Sequence, residues 1–215
     1  MITLCGFAVS NYFNVVKQVL LEKQIPYTVE RAMTRSKDEA VLSASPLGKV
    51  PFIRTAQGPL CETAVILDYL EAQYPAHPLL PADAYGAAKV RELYTFINLH
   101  LELVARELYP AVFFGGSISD EQKAQTRKQL VRNIEAFKRL AKFAPYVGGD
   151  SFTLADCVAF NNLPLIGMAS KAAYGEDLLL AAGVDYKPYI KLVGERASSQ
   201  QVVAERKAEM ARPKD

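Results

Sequence analysis

Between Ser45 and Ile53 the chain reads Ser-Pro-Leu-Gly-Lys-Val-Pro-Phe-Ile, and this stretch decides how the first third of the protein is interpreted. Pro51 stands directly before an apolar run that predicts a β-strand. Proline has no N–H to donate to a sheet, so it suits the first residue of a strand or an edge position. The backbone amide and carbonyl of Val50 are therefore available to a partner outside the sheet.

A second feature follows shortly after this stretch. Glu62 and Thr63 open a segment whose apolar residues recur at helical spacing. The first N–H groups of a helix have no partner within the helix, and they favour anions. We interpret the two features together as a backbone clamp beside a carboxylate-binding helix terminus. Such an arrangement suits a small charged peptide.

The first 74 residues alternate strand and helix signals. Apolar runs and hairpin signals predict strands at 2–7, 26–30, 52–55 and 59–61, and helical periodicity predicts helices at 12–22, 37–42 and 63–74. The order is βαβ followed by ββα. Because the first crossover requires a parallel pair, the pattern predicts a four-stranded mixed sheet covered by helices.

The pattern changes at residues 75–81, which contain three prolines and predict a stiff linker. Beyond it the periodicity is helical, and a long helix is marked by Val90, Leu93, Ile97, Leu101, Val104 and Leu108. We therefore predict an α/β domain at 1–74, a linker at 75–84 and an all-helical domain at 85–215.

Composition excludes several classes of protein. The chain has 215 residues, half of them hydrophobic, and its net charge of only +2 argues against nucleic-acid binding. No apolar run reaches the roughly 18–20 residues that span a membrane, and the first residues lack the basic region of a signal peptide. The three cysteines show no CxxC spacing, which predicts reduced thiols in the cytoplasm. With two histidines and no His/Cys cluster, we expect no metal site.

Three motifs in this order resemble those of the cytosolic glutathione transferase superfamily, of a bacterial, serine-using type. They are Pro46–Pro51, Glu62-Thr63 and Phe152–Asp156, and the resemblance spans nearly the whole chain. It implies a thioredoxin-like N-terminal domain followed by a helical C-terminal domain, with a cis Val50–Pro51 bond. In Phe152–Asp156, Thr153 and Asp156 are predicted to form a capping box, which is a folding element.

The resemblance implies that the clamp binds glutathione as co-substrate. The backbone of Val50, held by Pro51, would pair with the cysteinyl part of the tripeptide, and Glu62 and Thr63 would hold its γ-glutamyl end. The family usually has serine where this chain has Thr63, but the hydroxyl is retained. Lys49 either pairs with the glycyl carboxylate or is simply solvated.

The catalytic position of this family lies where the first strand meets its helix. Ser10 matches it, and its hydroxyl would stabilise the thiolate of glutathione and lower the thiol pKa. Ser10 also suits an N-cap, and the two roles are compatible. Asn11 and Tyr12 are alternatives for the thiol contact.

The resemblance further implies a small hydrophobic electrophile as the second substrate. Tyr12, Tyr109 and Phe113, with Phe114, are candidates for its pocket, although core packing is the default explanation for any one of Tyr109, Phe113 and Phe114. We also expect a homodimer. The competing hypothesis is a non-catalytic binding or regulatory protein on the same fold.

Overall fold

A computed structural model describes residues 1–212 of the chain. They form two compact units, one made of Met1–Leu80 together with the residues from Glu195 onward, the other of Pro81–Gly194. The first unit contains β1 (Ile2–Gly6), α1 (Asn11–Glu22), β2 (Tyr27–Arg31), α2 (Glu39–Leu42), β3 (Phe52–Thr55), β4 (Gly58–Cys61), α3 (Thr63–Gln73) and α11 (Ala197–Met210). The second contains α4 (Ala84–Phe96), a π-helical segment (Ile97–Glu102), α5 (Leu103–Ala105), a 3-10 turn (Arg106–Leu108), α6 (Tyr109–Phe113), α7 (Asp120–Phe137), α8 (Leu154–Tyr174), α9 (Leu178–Ala181) and α10 (Lys187–Gly194).

The sheet has the strand order β2-β1-β3-β4, with β1 parallel to β2 and antiparallel to β3. The predicted four-stranded mixed sheet is therefore confirmed. Cys5 pairs with Phe52 on one side, and Phe52 pairs with Cys61 on the other. Because β1 and β4 both run antiparallel to β3, the carboxyl ends of these two strands flank the amino end of β3. This register brings three separate parts of the sequence to one edge of the sheet.

Fully buried side chains join the sheet to two of its helices. Those of α1 and α3 follow the predicted apolar stripes, and they include Val16, Val19, Leu20, Ile66, Leu67 and Leu70. Completely burying an aliphatic side chain of this size contributes roughly 1.5–3 kcal/mol. The sequence pattern therefore identified the faces of these helices that form the core.

The C-terminal helix α11 packs on α1 within the first unit. The Lys17 side chain, only 2 % exposed, forms an ion pair with Glu205, and Arg196 forms two hydrogen bonds to Glu22 at 2.8 and 2.6 Å. This arrangement differs from the predicted helical domain at 85–215, because the last helix belongs with the α/β unit. The reason is that α1 also has polar residues on the face opposite its apolar stripe, and α11 covers them.

The Glu22–Arg196 pair predicts a pH-dependent contribution to stability. Burial alone would raise the pKa of the Glu22 carboxyl, but hydrogen bonds from Arg196 and Ser198 outweigh it and lower that pKa. A carboxyl with a lowered pKa stabilises the fold above its unfolded pKa of about 4.3, and this contribution disappears as the pH falls through the folded value. We expect Arg196→Met to lose roughly 2 kcal/mol of unfolding free energy near neutral pH, and clearly less near pH 3, as measured by urea denaturation.

The matched control is Arg127→Met in the second unit. Arg127 pairs with Glu176, and both side chains are nearly half exposed, so its loss should cost less than about 1 kcal/mol. An Arg196→Met penalty that is the same at both pH values would contradict the prediction.

The second unit is centred on α8, whose start is fixed by a buried carboxylate. Asp156 is fully buried and accepts hydrogen bonds from the Thr153 N–H at 2.8 Å and the Val147 N–H at 2.9 Å. The Tyr189 hydroxyl donates a further bond at 3.0 Å. The predicted capping box of Thr153 and Asp156 is present. It also ties the preceding loop and α10 to the first turn of α8.

Candidate active site

The end of β1 lies against Val50 and α1, with no space for a side chain between them. A β-carbon placed on Gly6 would lie 3.3 Å from the Val50 Cβ and only 2.5 Å from Cδ2 of Phe13. Gly6 also has a φ of +151°, which side chains rarely allow. Glycine at this position thus permits the turn carrying Ser10 to approach the loop carrying Val50.

The loop before β3 is shaped by its own backbone. The Val50–Pro51 bond is cis, as the resemblance predicted. Gly48 has a φ of +59°, and its N–H donates to the Ser45 carbonyl at 2.7 Å. The Ser45 hydroxyl donates to the Lys49 carbonyl at 2.9 Å, and among residues 1–212 the Val50 amide and carbonyl form no main-chain hydrogen bond. The half-buried Val50 can therefore offer both groups to a ligand, and the Lys49 side chain beside it is exposed.

The third part of the site is the start of α3. Glu62 is the N-cap residue, and its φ of 67° is unusual for a residue other than glycine or asparagine. Its carbonyl accepts the first helical bond, from Ile66 at 3.0 Å, while its side chain makes no capping bond. The N–H groups of the first turn, beginning with the half-buried Thr63, therefore lack acceptors within the helix and favour an anion. Strained backbone of this kind is concentrated at functional sites.

Ser10 caps α1 at the same edge of the sheet. Its Oγ accepts the Phe13 N–H at 3.3 Å, and its own N–H donates to the Phe7 carbonyl at 3.1 Å. The cap uses an oxygen lone pair, so the hydroxyl hydrogen can still be donated to an anion. The two predicted roles of Ser10 are thus chemically compatible. The alternatives, Asn11 and Tyr12, are buried and half-buried respectively, and both interact with other residues.

Asn14 contacts the turn that carries Ser10, and the sequence analysis did not single it out. It is 1 % exposed, and its Nδ2 donates to the Ala8 carbonyl at 2.8 Å, inside the turn that leads to Ser10. The available signal was a carboxamide one helical turn after Ser10, directly before the apolar pair Val15-Val16. A polar residue at a buried helix position needs a partner, and here the partner is the active-site turn.

Two predicted electrophile-pocket residues lie in the second unit. Tyr109 is only 5 % exposed, and its hydroxyl donates to the buried Glu102 at 3.2 Å. The rings of Tyr109 and Phe113 meet edge to face with their centroids 5.2 Å apart, and Phe113 is 38 % exposed. The Tyr109 side chain is therefore buried and hydrogen-bonded, while Phe113 presents part of its ring to solvent.

The remaining chemical groups do not add to this site. Burial raises the pKa of the Cys5 thiol to about 11, so it is a poor nucleophile at neutral pH. Within residues 1–212, no group of three or more His, Cys, Asp or Glu side chains is arranged to hold a metal ion. In the same part of the chain, no helix is both long and apolar enough to cross a membrane.

Comparison with known proteins identifies the family. Residues 4–78 match the model of the glutathione S-transferase N-terminal domain. A glutathione S-transferase of Pseudomonas putida is 40% identical over 98% of this chain and 94% of its own length. A stringent starvation protein A homologue of Pasteurella multocida is 27% identical over 88% of this chain and 84% of its own.

Solved structures agree with the fold. A glutathione S-transferase of Methylobacterium radiotolerans, in complex with glutathione sulfonate, superposes with a TM-score of 0.76 at 23% identity, covering 94% of each chain. The thioredoxin-like unit and the helical region are therefore confirmed as the transferase fold. Together with the Pseudomonas relative, these findings show that the chain belongs to the glutathione S-transferase family.

Proposed function

We propose that this glutathione transferase activates its thiol substrate through Ser10. The Ser10 hydroxyl donates a hydrogen bond to the glutathione sulfur and favours the thiolate, whose proton passes to solvent. A sulfur lone pair then attacks the electrophilic carbon, a C–S bond forms, and the leaving group departs with the electrons of the broken bond. The observation that carries this proposal is the sheet register, in which the Ser10 turn, Val50 and the start of α3 share one edge.

Glutathione would bind through backbone groups more than through side chains. The Val50 N–H and carbonyl would pair with the cysteinyl unit, and Pro51 would hold Val50 in place. The first N–H groups of α3 and the Thr63 hydroxyl would bind the γ-glutamyl carboxylate, and Glu62 would accept from its ammonium group. The exposed Lys49 would pair with the glycyl carboxylate.

The second substrate is a small hydrophobic electrophile. Tyr12, in the first turn of α1, would contact this substrate. The protein would act as a homodimer in the cytoplasm, where its free cysteines Cys5, Cys61 and Cys157 stay reduced.

A non-catalytic role is the alternative function. The similarity to a stringent starvation protein A homologue favours testing it. A protein that no longer uses glutathione has no need for a hydroxyl at the start of α3 or for a free Val50 backbone. Glutathione binding therefore separates the two functions.

Calorimetric titration with glutathione tests this proposal. We expect the wild-type protein to bind it, and we expect Thr63→Val to bind it roughly 10-fold more weakly, because one hydrogen bond to a charged group is lost. Cysteinylglycine lacks the γ-glutamyl unit, so its affinity should be equal for the two proteins.

Thr28→Val is the matched control, because Thr28 is an exposed threonine on β2 whose hydroxyl is hydrogen-bonded to that of Thr3 at 3.1 Å. It should leave glutathione affinity unchanged. Absence of binding to the wild-type protein at millimolar glutathione would rule out the transferase mechanism and favour the non-catalytic function.

A further inference from the structure

We propose that Asn14 is a positioning residue that holds the Ser10 turn through its hydrogen bond to the Ala8 carbonyl. The inference rests on the proposed role of Ser10 and extends it to the helix behind the turn. Asn14 lies one helical turn after Ser10, so its side chain projects from the same face of α1. It does not need to touch glutathione to affect the reaction.

Asn14 binds the turn at two points. Its main-chain N–H donates to the Ser10 carbonyl at 3.0 Å, and its Nδ2 donates to the Ala8 carbonyl at 2.8 Å. Ser10 is the residue that ends this segment, and its N–H closes the turn on Phe7. The backbone bond alone would fix where the helix begins. The side-chain bond additionally fixes the direction from which the chain enters it.

The cost of burying an amide indicates that the bond to the Ala8 carbonyl is the reason for a polar residue at position 14. Asn14 is 1 % exposed, and its Oδ1 is buried without a hydrogen-bond partner among residues 1–212. A leucine of similar volume would fill the same space without leaving a buried acceptor unpaired, and most buried polar atoms are paired. Holding the Ala8 carbonyl is the function that only the amide donor supplies.

Displacement of the turn would move the Ser10 hydroxyl relative to the sulfur. Catalytic geometry tolerates little movement, and a shift of 1 Å can cost about 100-fold in rate. The two Asn14 hydrogen bonds described above go to the Ser10 turn, not to the Val50 loop or to the start of α3. Loss of the Asn14 bond should therefore impair activation of the thiol much more than binding of glutathione.

The test is Asn14→Leu, read by thiolate absorbance of bound glutathione against pH and by steady-state conjugation. We expect the thiol pKa to rise and kcat to fall roughly 3- to 10-fold, with the KM for glutathione nearly unchanged. Asn14→Ala is smaller and also removes the donor, and it should give the same direction of change. It replaces Asn14→Leu if the leucine variant does not fold.

Asn133→Leu is the matched control. Asn133 is 6 % exposed, and its Nδ2 also donates to a main-chain carbonyl, that of His100, at 2.7 Å. It lies in the second unit, and the variant should lose stability without any change in the thiol pKa. A comparable pKa shift in both variants would mean that destabilisation is the cause, and it would overturn the proposal.

A double-mutant cycle with Ser10→Ala separates this inference from the proposed role of Ser10. If Asn14 acts through Ser10, Asn14→Leu should produce no further pKa shift in the Ser10→Ala background. An additive shift would overturn the positioning role. If Ser10→Ala alone has no effect, the proposed mechanism fails; if only Asn14→Leu has none, this inference alone fails.

Discussion

Replacing Asp156 with alanine is expected to lower the unfolding free energy by roughly 3–5 kcal/mol, the largest stability effect we predict. The change leaves the Val147 N–H, the Thr153 N–H and the Thr153 hydroxyl without their acceptor. It also removes the nearer of two acceptors of the Tyr189 hydroxyl, whose other acceptor is the Asp156 main-chain carbonyl at 3.3 Å. Burial and the neighbouring Asp156 carboxylate raise the pKa of Tyr189 well above its usual range, so its hydroxyl remains protonated and needs a partner. Each unsatisfied buried group costs about 1–3 kcal/mol.

Urea denaturation of the purified variant measures this loss. Asp83→Ala is the matched control, because Asp83 also caps a helix, accepting the Gly86 N–H at 2.7 Å, but is exposed to water. Its loss should cost about 1 kcal/mol, as is typical for a surface cap. Equal losses in the two variants would mean that Asp156 is no more than an ordinary cap.

Replacing Ser10 with alanine should produce the largest effect on activity. A hydrogen bond to a charged group contributes about 1.5–3 kcal/mol, so we expect kcat/KM to fall roughly 10- to 100-fold. The thiol pKa of bound glutathione should rise by about 1–2 units, since one unit corresponds to about 1.4 kcal/mol. Glutathione affinity at low pH, where the sulfur is protonated, should change little.

The cap of α1 must be separated from the chemistry in this experiment. Ser119→Ala removes a similar serine cap, that of α7, whose Oγ accepts the Gln122 N–H at 3.1 Å. It should cost about 1 kcal/mol of stability without affecting the thiol. Ser10→Thr keeps the hydroxyl and should retain most activity. Unchanged rates in Ser10→Ala would transfer the thiol contact to Asn11 or Tyr12.

Local patterns predicted the elements of the first unit because each is encoded by adjacent residues. The apolar stripe of α1, the hairpin between β3 and β4, and the proline before β3 all lie where the sequence indicated. The path of α11 was not predictable in this way. Its contacts with α1 join residues such as Lys17 and Glu205, which look like ordinary surface charges.

The sequence was enough to propose residues for the candidate site, but not to predict their geometry. Val50, Pro51 and Thr63 were recognisable from their neighbours, whereas the φ of 67° at Glu62 depends on how β4 enters α3. Asn14 was missed because its partner is a main-chain carbonyl, which the carboxamide alone does not identify. The π-helical segment Ile97–Glu102 could not be predicted either, because the apolar periodicity of the sequence indicates one continuous α-helix through it.

The position of α11 has a consequence for the order in which the protein is completed during synthesis. The unit that carries Ser10 and Val50 is discontinuous, and it includes the residues from Glu195 onward. The amino end of a chain is synthesised first, and domains generally fold as units. The helical unit Pro81–Gly194 is continuous in sequence. It can therefore fold before Glu205 has been synthesised and is available to pair with Lys17. The unit that carries Ser10 therefore gains its α11 contacts only after the helical unit has been synthesised.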